Sequence, residues 1–273
     1  MGEGGSGCTG GVQPPPPSRL PPSGPLLDVR SLSLRFGGIT ALAGIDVSVR
    51  EGETLAVIGP NGSGKTSFFN CITGVYRPTG GAITFAGTSL LGLSPDGVTR
   101  RGVARTFQNL RLFHTMTVLD NLLVGRHIHF RKNVLAALLR RRGEEVRHRR
   151  RCEELIDFLD LAPYRKTRVG DCAFGIQKRV ELGRALAAEP RLLLLDEPVS
   201  GLTAEEKEEV AYWVHEIRGR FRMTVLLVEH DLRIASRLAD RMLVLDHGVT
   251  IAEGAPADVQ RHPDVLRAYL GVA

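Results

Sequence analysis

No apolar run in the chain approaches the roughly 18 residues that a bilayer-spanning helix needs, so the chain is not expected to cross a membrane by itself. Residues 1–25 have no apolar segment of the secretory kind, which excludes a signal peptide as their reading. The four cysteines, Cys8, Cys71, Cys152 and Cys172, lack metal-ligand spacing. That argues against a zinc site and a disulfide framework and fits a reducing compartment. Lysine is scarce beside arginine, and no internal repeat is visible.

What is present is enough for one large domain or two small ones. The chain has 273 residues, 42% apolar and 24% charged, the balance of a globular protein with a proper core. The net charge of +6 fits nucleic acid, anionic lipid or phosphate ligands, or composition alone. Residues 1–25, "MGEGGSGCTGGVQPPPPSRLPPSGP", are nearly all Gly, Pro and Ser and are expected to form a disordered tail.

Order is expected from residue 26 onward. "LLDVRSLSLRF" alternates as a strand, and "IDVSV" reads as a second. "TLAVIG" is a continuous apolar run ending in glycine, as in a buried parallel strand, with a helix from Lys65 to Ile72 after it. From Leu110 to Val169 the apolar spacing is helical. Strand signals return at "RLLLLDE", "TVLLVEH" and "RMLVLDHG", with helices predicted over 204–219, 231–239 and 263–270. Alternating strands and helices imply an α/β fold with a parallel sheet, into which a helical stretch is inserted.

"GPNGSGKT", residues 59–66, matches the P-loop pattern. Gly59, Gly62 and Gly64 let the backbone turn tightly, and the loop of Gly59, Pro60, Asn61, Gly62 and Ser63, running into the helix at Lys65, Thr66 and Ser67, can surround a phosphate with the N–H groups of its residues other than proline. Lys65 can reach the outer phosphates, and the Thr66 hydroxyl suits Mg²⁺. In "LLLLDEP" four leucines bury a strand and leave Asp196 at its C-terminal edge, where it can hold Mg²⁺. Glu197 can then polarise a water in line with the γ-phosphate. His230 ends a later strand and is a candidate γ-phosphate contact, or a structural histidine. Gln108, in "RTFQN", can reach Mg²⁺ or the attacking water and report that contact to the helical insertion.

The order "GPNGSGKT", "FQN", a glycine-centred helix start, "LLLLDEP" and "VEHD" resembles an ATP-binding cassette (ABC) ATPase over about residues 26–270. "RFGG" (35–38), "GRHIHFRKNVLAALLR" (125–140) and the tail "RAYLG" (267–271) resemble the ATPase subunits of bacterial branched-chain amino-acid importers. The resemblance implies a RecA-like parallel-sheet core, an N-terminal antiparallel β subdomain and a helical subdomain over about 109–185, within a domain spanning 26–273. It implies ATP and Mg²⁺ as cofactors, and Phe36 as a stacking surface for adenine. It also implies that the turn at Ala173, Phe174 and Gly175 caps the ATP held by a second cassette.

The family pattern at that turn is roughly Leu-Ser-Gly-Gly-Gln. Here Ile176 stands where glutamine is usual, and Thr203 where Asp or Asn is usual after Gly-Leu. Loss of the glutamine's polar groups raises the expectation that the ATP capped by this turn is hydrolysed slowly; the bland reading is that backbone donors suffice. Leu110, Leu112, Phe113 and Met116 are expected either to line a groove for a permease helix or to be core. Residues 126–151 carry ten Lys/Arg, read either as a contact to anionic lipid or as a solvated face. The implied partners are a second cassette, identical or not, two membrane permeases and, indirectly, a solute-binding protein outside the cell. Nucleic acid is not among them. The implied location is the cytoplasmic face of the inner membrane, as a peripheral subunit. The implied function is that of an ATP-hydrolysing importer motor. Amide, urea or aromatic-acid uptake, lipopolysaccharide-type export and non-transport ABC roles are the alternatives.

Overall fold

In a computed structural model, residues 24–106, 110–130 and 134–270 are described; the Gly/Pro-rich stretch 1–23, with Cys8, and Gln108 lie outside them. Two sheets organise the chain. The first is antiparallel, in the order β2-β1-β4-β5, from β1 (Leu27–Phe36), β2 (Ile39–Val49), β4 (Gly80–Phe85) and β5 (Thr88–Ser89). The second runs β10-β9-β3-β8-β7-β6, from β3 (Thr54–Ile58), β6 (Val103–Arg105), β7 (Leu192–Asp196), β8 (Thr224–Val228), β9 (Arg241–Asp246) and β10 (Val249–Gly254). All its neighbours pair parallel except β9 and β10, which form an antiparallel hairpin.

The helices are α1 (Lys65–Ile72), α2 (Pro95–Arg100), α3 (Val118–Gly125), α4 (Val134–Phe158), α5 (Phe174–Ala187), α6 (Ala204–Phe221), α7 (Leu232–Leu238), α8 (Pro256–Val259) and α9 (Pro263–Leu270). The bounds of α1 and α9 coincide with those expected. The short elements β5, β6, α2, β10 and α8 were not anticipated, because two to six residues carry too little periodicity to stand out. Among the described residues no helix is long and apolar enough to cross a membrane.

The alternation in β1 slips by one residue. Leu27 and Val29 are buried, and then Leu32 and Leu34. A bulge at Ser31, whose φ is 47° and whose N–H donates to Asp46 Oδ1 at 2.8 Å, takes up the extra residue. β3, β7 and β8 are buried at every position, as expected of central parallel strands covered on both faces. Their two-residue period sorts the core into two layers. Leu55, Val57, Leu192, Leu194, Leu226 and Val228 pack towards α1 and the antiparallel sheet. Ala56, Ile58, Leu193, Leu195, Val225 and Leu227 pack towards the helices inserted between β6 and β7 and towards α6.

Those inserted helices meet at small residues. A Cβ on Gly125, at the end of α3, would lie 2.2 Å from the Arg184 carbonyl oxygen of α5. Gly143, by contrast, sits in α4 with nothing within 4 Å of a Cβ. Gly143→Ala is therefore expected to raise the free energy of urea unfolding by about 0.5–1 kcal/mol through helix propensity. Gly125→Ala is expected to lower it by about 1–3 kcal/mol, the cost of overpacking.

Candidate nucleotide site

The cradle begins where β3 runs out. Gly59 has φ 149°, and a Cβ there would lie 2.0 Å from the Leu245 carbonyl oxygen of β9, so no side chain fits. The loop then passes exposed Asn61 and Gly62 and buried Ser63 to Gly64, the left-handed N-cap of α1. No side chain caps this helix. Its first N–H groups and its positive dipole end are thus available to an anion. The turn between β9 and β10 braces the loop from behind, where the Gly248 N–H donates to the Ser63 carbonyl at 3.0 Å.

Lys65 is buried and folds back over the loop. Its Nζ donates to the Gly59 carbonyl at 2.7 Å, the Pro60 carbonyl at 2.8 Å and the Ser63 hydroxyl at 3.4 Å. Burial pushes its pKa down, and the carboxylates of Glu197 and Asp196 pull it back up. Those carboxylates arrive because β8 separates β3 from β7, which places the C-terminal ends of all three strands along one edge. Glu197 takes a left-handed φ of 47°, and its N–H donates to the Val228 carbonyl at 2.9 Å. His230 Nδ1 stands 3.8 Å from Glu197 Oε2. The histidine is exposed, so it is not a satisfied core residue.

Two residues at this edge were missed in the sequence. Arg105, at the end of β6, holds Asp196 Oδ2 at 2.5 Å, with the two side chains only 8% and 7% exposed. It also donates to Asn70 Oδ1 at 2.7 Å and lies over the Phe69 ring at 5.5 Å. An arginine ending a short buried strand was the available signal. The other is Glu229, fully buried after β8, whose pKa burial pushes up to about 7 against opposing backbone N–H groups. It sits inside "VEHD", where the histidine drew attention away from it.

The remaining expected residues fall in three places. Phe36, at the end of β1, is 47% exposed and meets Tyr76 edge-on at 5.1 Å, so a second aromatic joins it. Ala173 and Phe174 are exposed and Gly175 is half-buried at the start of α5, again without a side-chain cap. Ile176 turns into the core instead, and Gln177 donates to the Cys172 carbonyl at 2.8 Å. The burial of Ile176 favours the reading in which backbone donors suffice at this turn. Thr203 caps α6 in a reciprocal pair with Glu206, a local reason for threonine there.

The candidate groove residues divide. Leu112 is core, whereas Phe113 and Met116 are 47% and 39% exposed. The basic stretch divides too. Arg126 is buried, donates to the Ala187 carbonyl at 3.0 Å and, with Arg151, grips Glu189, so these two are structural rather than surface charges. At the far end of the chain, α9 delivers Tyr269 to the back of the cradle. Burial raises the pKa of its hydroxyl to about 12, opposed by the Gly59 N–H, although no partner meets hydrogen-bond geometry.

A glycine-lined loop that starts an uncapped helix, a buried lysine over it, and two carboxylates at the end of β7 on the same sheet edge define a P-loop nucleotide-hydrolysing domain. Comparison with known proteins narrows the class. Residues 42–200 match the family described as ABC transporter, and residues 249–273 match the one described as branched-chain amino acid ATP-binding cassette transporter. The chain is 40% identical to the high-affinity branched-chain amino acid transport ATP-binding protein BraF of Pseudomonas aeruginosa, over 92% of this chain and all of that one. It is 38% identical to LivG of Escherichia coli K12 over the same shares. A nucleotide-free ATP-binding cassette from an ABC transporter superposes with TM-score 0.79 at 30% identity, covering 90% of this chain and 99% of that one. The ADP conformation of an ATP-binding cassette of an ABC transporter superposes with TM-score 0.80 at 31% identity and the same coverage. The chain belongs to the ABC transporter ATP-binding family, in its branched-chain amino-acid group, and is an ATPase.

The Arg105–Asp196 pair generates a direct test. Removing one partner of a buried pair strands the other charge and costs about 3–5 kcal/mol. Arg105→Met is expected to lower the unfolding free energy by that amount in urea titrations. In a double-mutant cycle with Asp196→Asn, a coupling above about 1 kcal/mol is expected.

Proposed function

We propose that this chain is the ATP-hydrolysing motor subunit of an importer for branched-chain amino acids, with Mg²⁺ as the metal. It works as a peripheral subunit on the cytoplasmic face of the inner membrane. The observation that carries the ATPase part is the meeting of Lys65, Asp196, Glu197 and His230 at the shared edge of β3, β7 and β8. The cargo rests on the names of the relatives, BraF and LivG.

The chemistry follows from the side chains. The loop N–H groups and Lys65 bind the phosphates, with Lys65 exchanging neutral carbonyl acceptors for charged oxygens, which make stronger hydrogen bonds. The Thr66 hydroxyl and the Asp196 carboxylate are hard oxygen donors of the kind Mg²⁺ takes. Gln108 is a third donor by its place in the sequence. Bound there, the metal would neutralise charge on the phosphates. Glu197 accepts the proton of the attacking water, and His230, beside it, contacts the γ-phosphate. Phe36, with Tyr76, offers an aromatic face to adenine.

The second ATP-bound cassette, of the same or another sequence, supplies what one cradle leaves open. The uncapped start of α5 at Ala173, Phe174 and Gly175 is suited to meet its γ-phosphate with N–H donors and a favourable dipole. For the permeases, Met116, Leu123, Val124 and Phe130 edge an open groove of ≈ 430 Å³ with Asp120 and His127. A short helix with an apolar face fits such a groove. A solute-binding protein outside the cell would act on this chain only through the permeases.

Glu197→Gln tests the reading. The variant is expected to lose about 10²–10⁴-fold in turnover, the worth of a general base. It should also elute as a dimer in size-exclusion chromatography with ATP and Mg²⁺. A variant that keeps its turnover removes Glu197 from the mechanism. In reconstituted vesicles, ATP-dependent uptake of leucine, rather than of an amide or an aromatic acid, is the outcome that supports the cargo.

A further inference from the structure

Glu229 is the only fully buried acidic side chain among the described residues, and nothing in the reaction above uses it. It stands one residue past β8, with its own N–H donating to the Val57 carbonyl of β3 at 3.3 Å. Its Oε1 accepts the N–H of Val199 at 3.3 Å. The N–H groups of His230 and Asp231 also bear on the carboxyl, while Oε2 has no partner of good hydrogen-bond geometry. Burial of an ionisable group with an incompletely satisfied oxygen is costly. A side chain that only filled space would be better apolar here, as its neighbours Val199 and Val228 are.

The contacts close a ring around the reacting edge. Glu197 is held on one side by the bond from its N–H to the Val228 carbonyl. Two residues later, Val199 is held by Glu229. The chain then runs from Glu229 straight into His230, whose ring faces Glu197 at 3.8 Å. Glu197 keeps a left-handed φ of 47°, a conformation that persists only where its surroundings enforce it. The other charged group next to the ring, Asp231, is engaged elsewhere, capping α7 and pairing with Lys207 at 3.8 Å. The loop after Glu197 and the turn carrying His230 thus share one buried side-chain link.

We infer that Glu229 is a positioning residue: its carboxyl brackets the loop that follows Glu197 and the turn that carries His230, and so sets the two reacting side chains relative to each other. It acts through Glu197 and His230. Its effect depends on the reach of an acceptor oxygen to Val199, not on negative charge. The inference rests on the roles given to Glu197 and His230 above.

Two conservative variants of the full chain separate reach from charge. Glu229→Gln keeps the side-chain length and a carbonyl acceptor, and is expected to retain most of kcat. Glu229→Asp keeps the charge but is one methylene short, and is expected to lose about 10- to 100-fold in kcat, the scale of a small misplacement. In both, KM for ATP and the thermal midpoint should stay near those of the parent chain, because the cradle itself is untouched. A Glu229→Asp variant with parental kcat overturns the inference. So does a Glu229→Gln variant that fails to fold or is the more impaired of the two. A joint fall in kcat, nucleotide affinity and thermal midpoint in both variants reduces Glu229 to a folding residue. Glu197→Gln is assayed in parallel. If it keeps turnover, the site reading has failed; if it is inactive while Glu229→Asp is not, only this inference has.

Discussion

A lysine ammonium held in a buried position is the constraint on which this structure depends. Lys65 solves it with three loop oxygens at 2.7, 2.8 and 3.4 Å and with the field of two carboxylates across the sheet edge. Each part of that solution imposes something on the chain. The carbonyls face inward because Gly59 and Gly64 take conformations that side chains disfavour. The carboxylates are near because β8 inserts between β3 and β7 and brings their ends into line. In the proposed reading an ATP molecule would offer the same ammonium charged acceptors, and the buried cation would be one of the groups that binds substrate.

The same edge concentrates buried charge. Arg105 and Asp196 form a pair with side chains under 10% exposed, and Glu229 lies fully buried a strand away. Such groups are poor sources of stability but hold directions well, since each has few arrangements that satisfy it. Arg105 ties β6, the last strand before the helical insertion, to the residue that ends β7. Glu229 ties the residues after β7 to those after β8. The helical insertion therefore joins the sheet beside a set of directional contacts, while its own helices pack closely enough to need Gly125 and Gly183.

Much of this was legible along the chain because it rests on local rules. "GPNGSGKT" places glycines where the backbone must turn and a lysine where it can fold back, and α1 begins at Lys65 as that pattern requires. "LLLLD" and "TVLLV" lack alternation because both of their faces are covered. Phe174 and Phe36, both singled out from their motifs, are exposed. Illegible were the roles that depend on a partner far away in sequence. Arg105 gains meaning only from Asp196, 91 residues on. Ile176 and Thr203 look like functional departures in a motif, yet one packs into the core and the other caps a helix. Arg126 and Arg151 read as surface charge until Glu189 is brought between them.

The amino-acid sequence by itself determined the phosphate loop, the buried strands, the order of the motifs and the family, because hydrophobic period, glycine placement and motif spacing act within a few residues or in chain order. Only the tertiary structure decided which strands are neighbours and which charges meet. It alone separated exposed from core side chains among Leu112, Phe113 and Met116, and placed Tyr269 behind Gly59. The physical reason is range. Backbone preference and hydrophobic patterning are written locally, whereas strand order, burial of a charge and the partner that satisfies it are set when distant segments close on a common core.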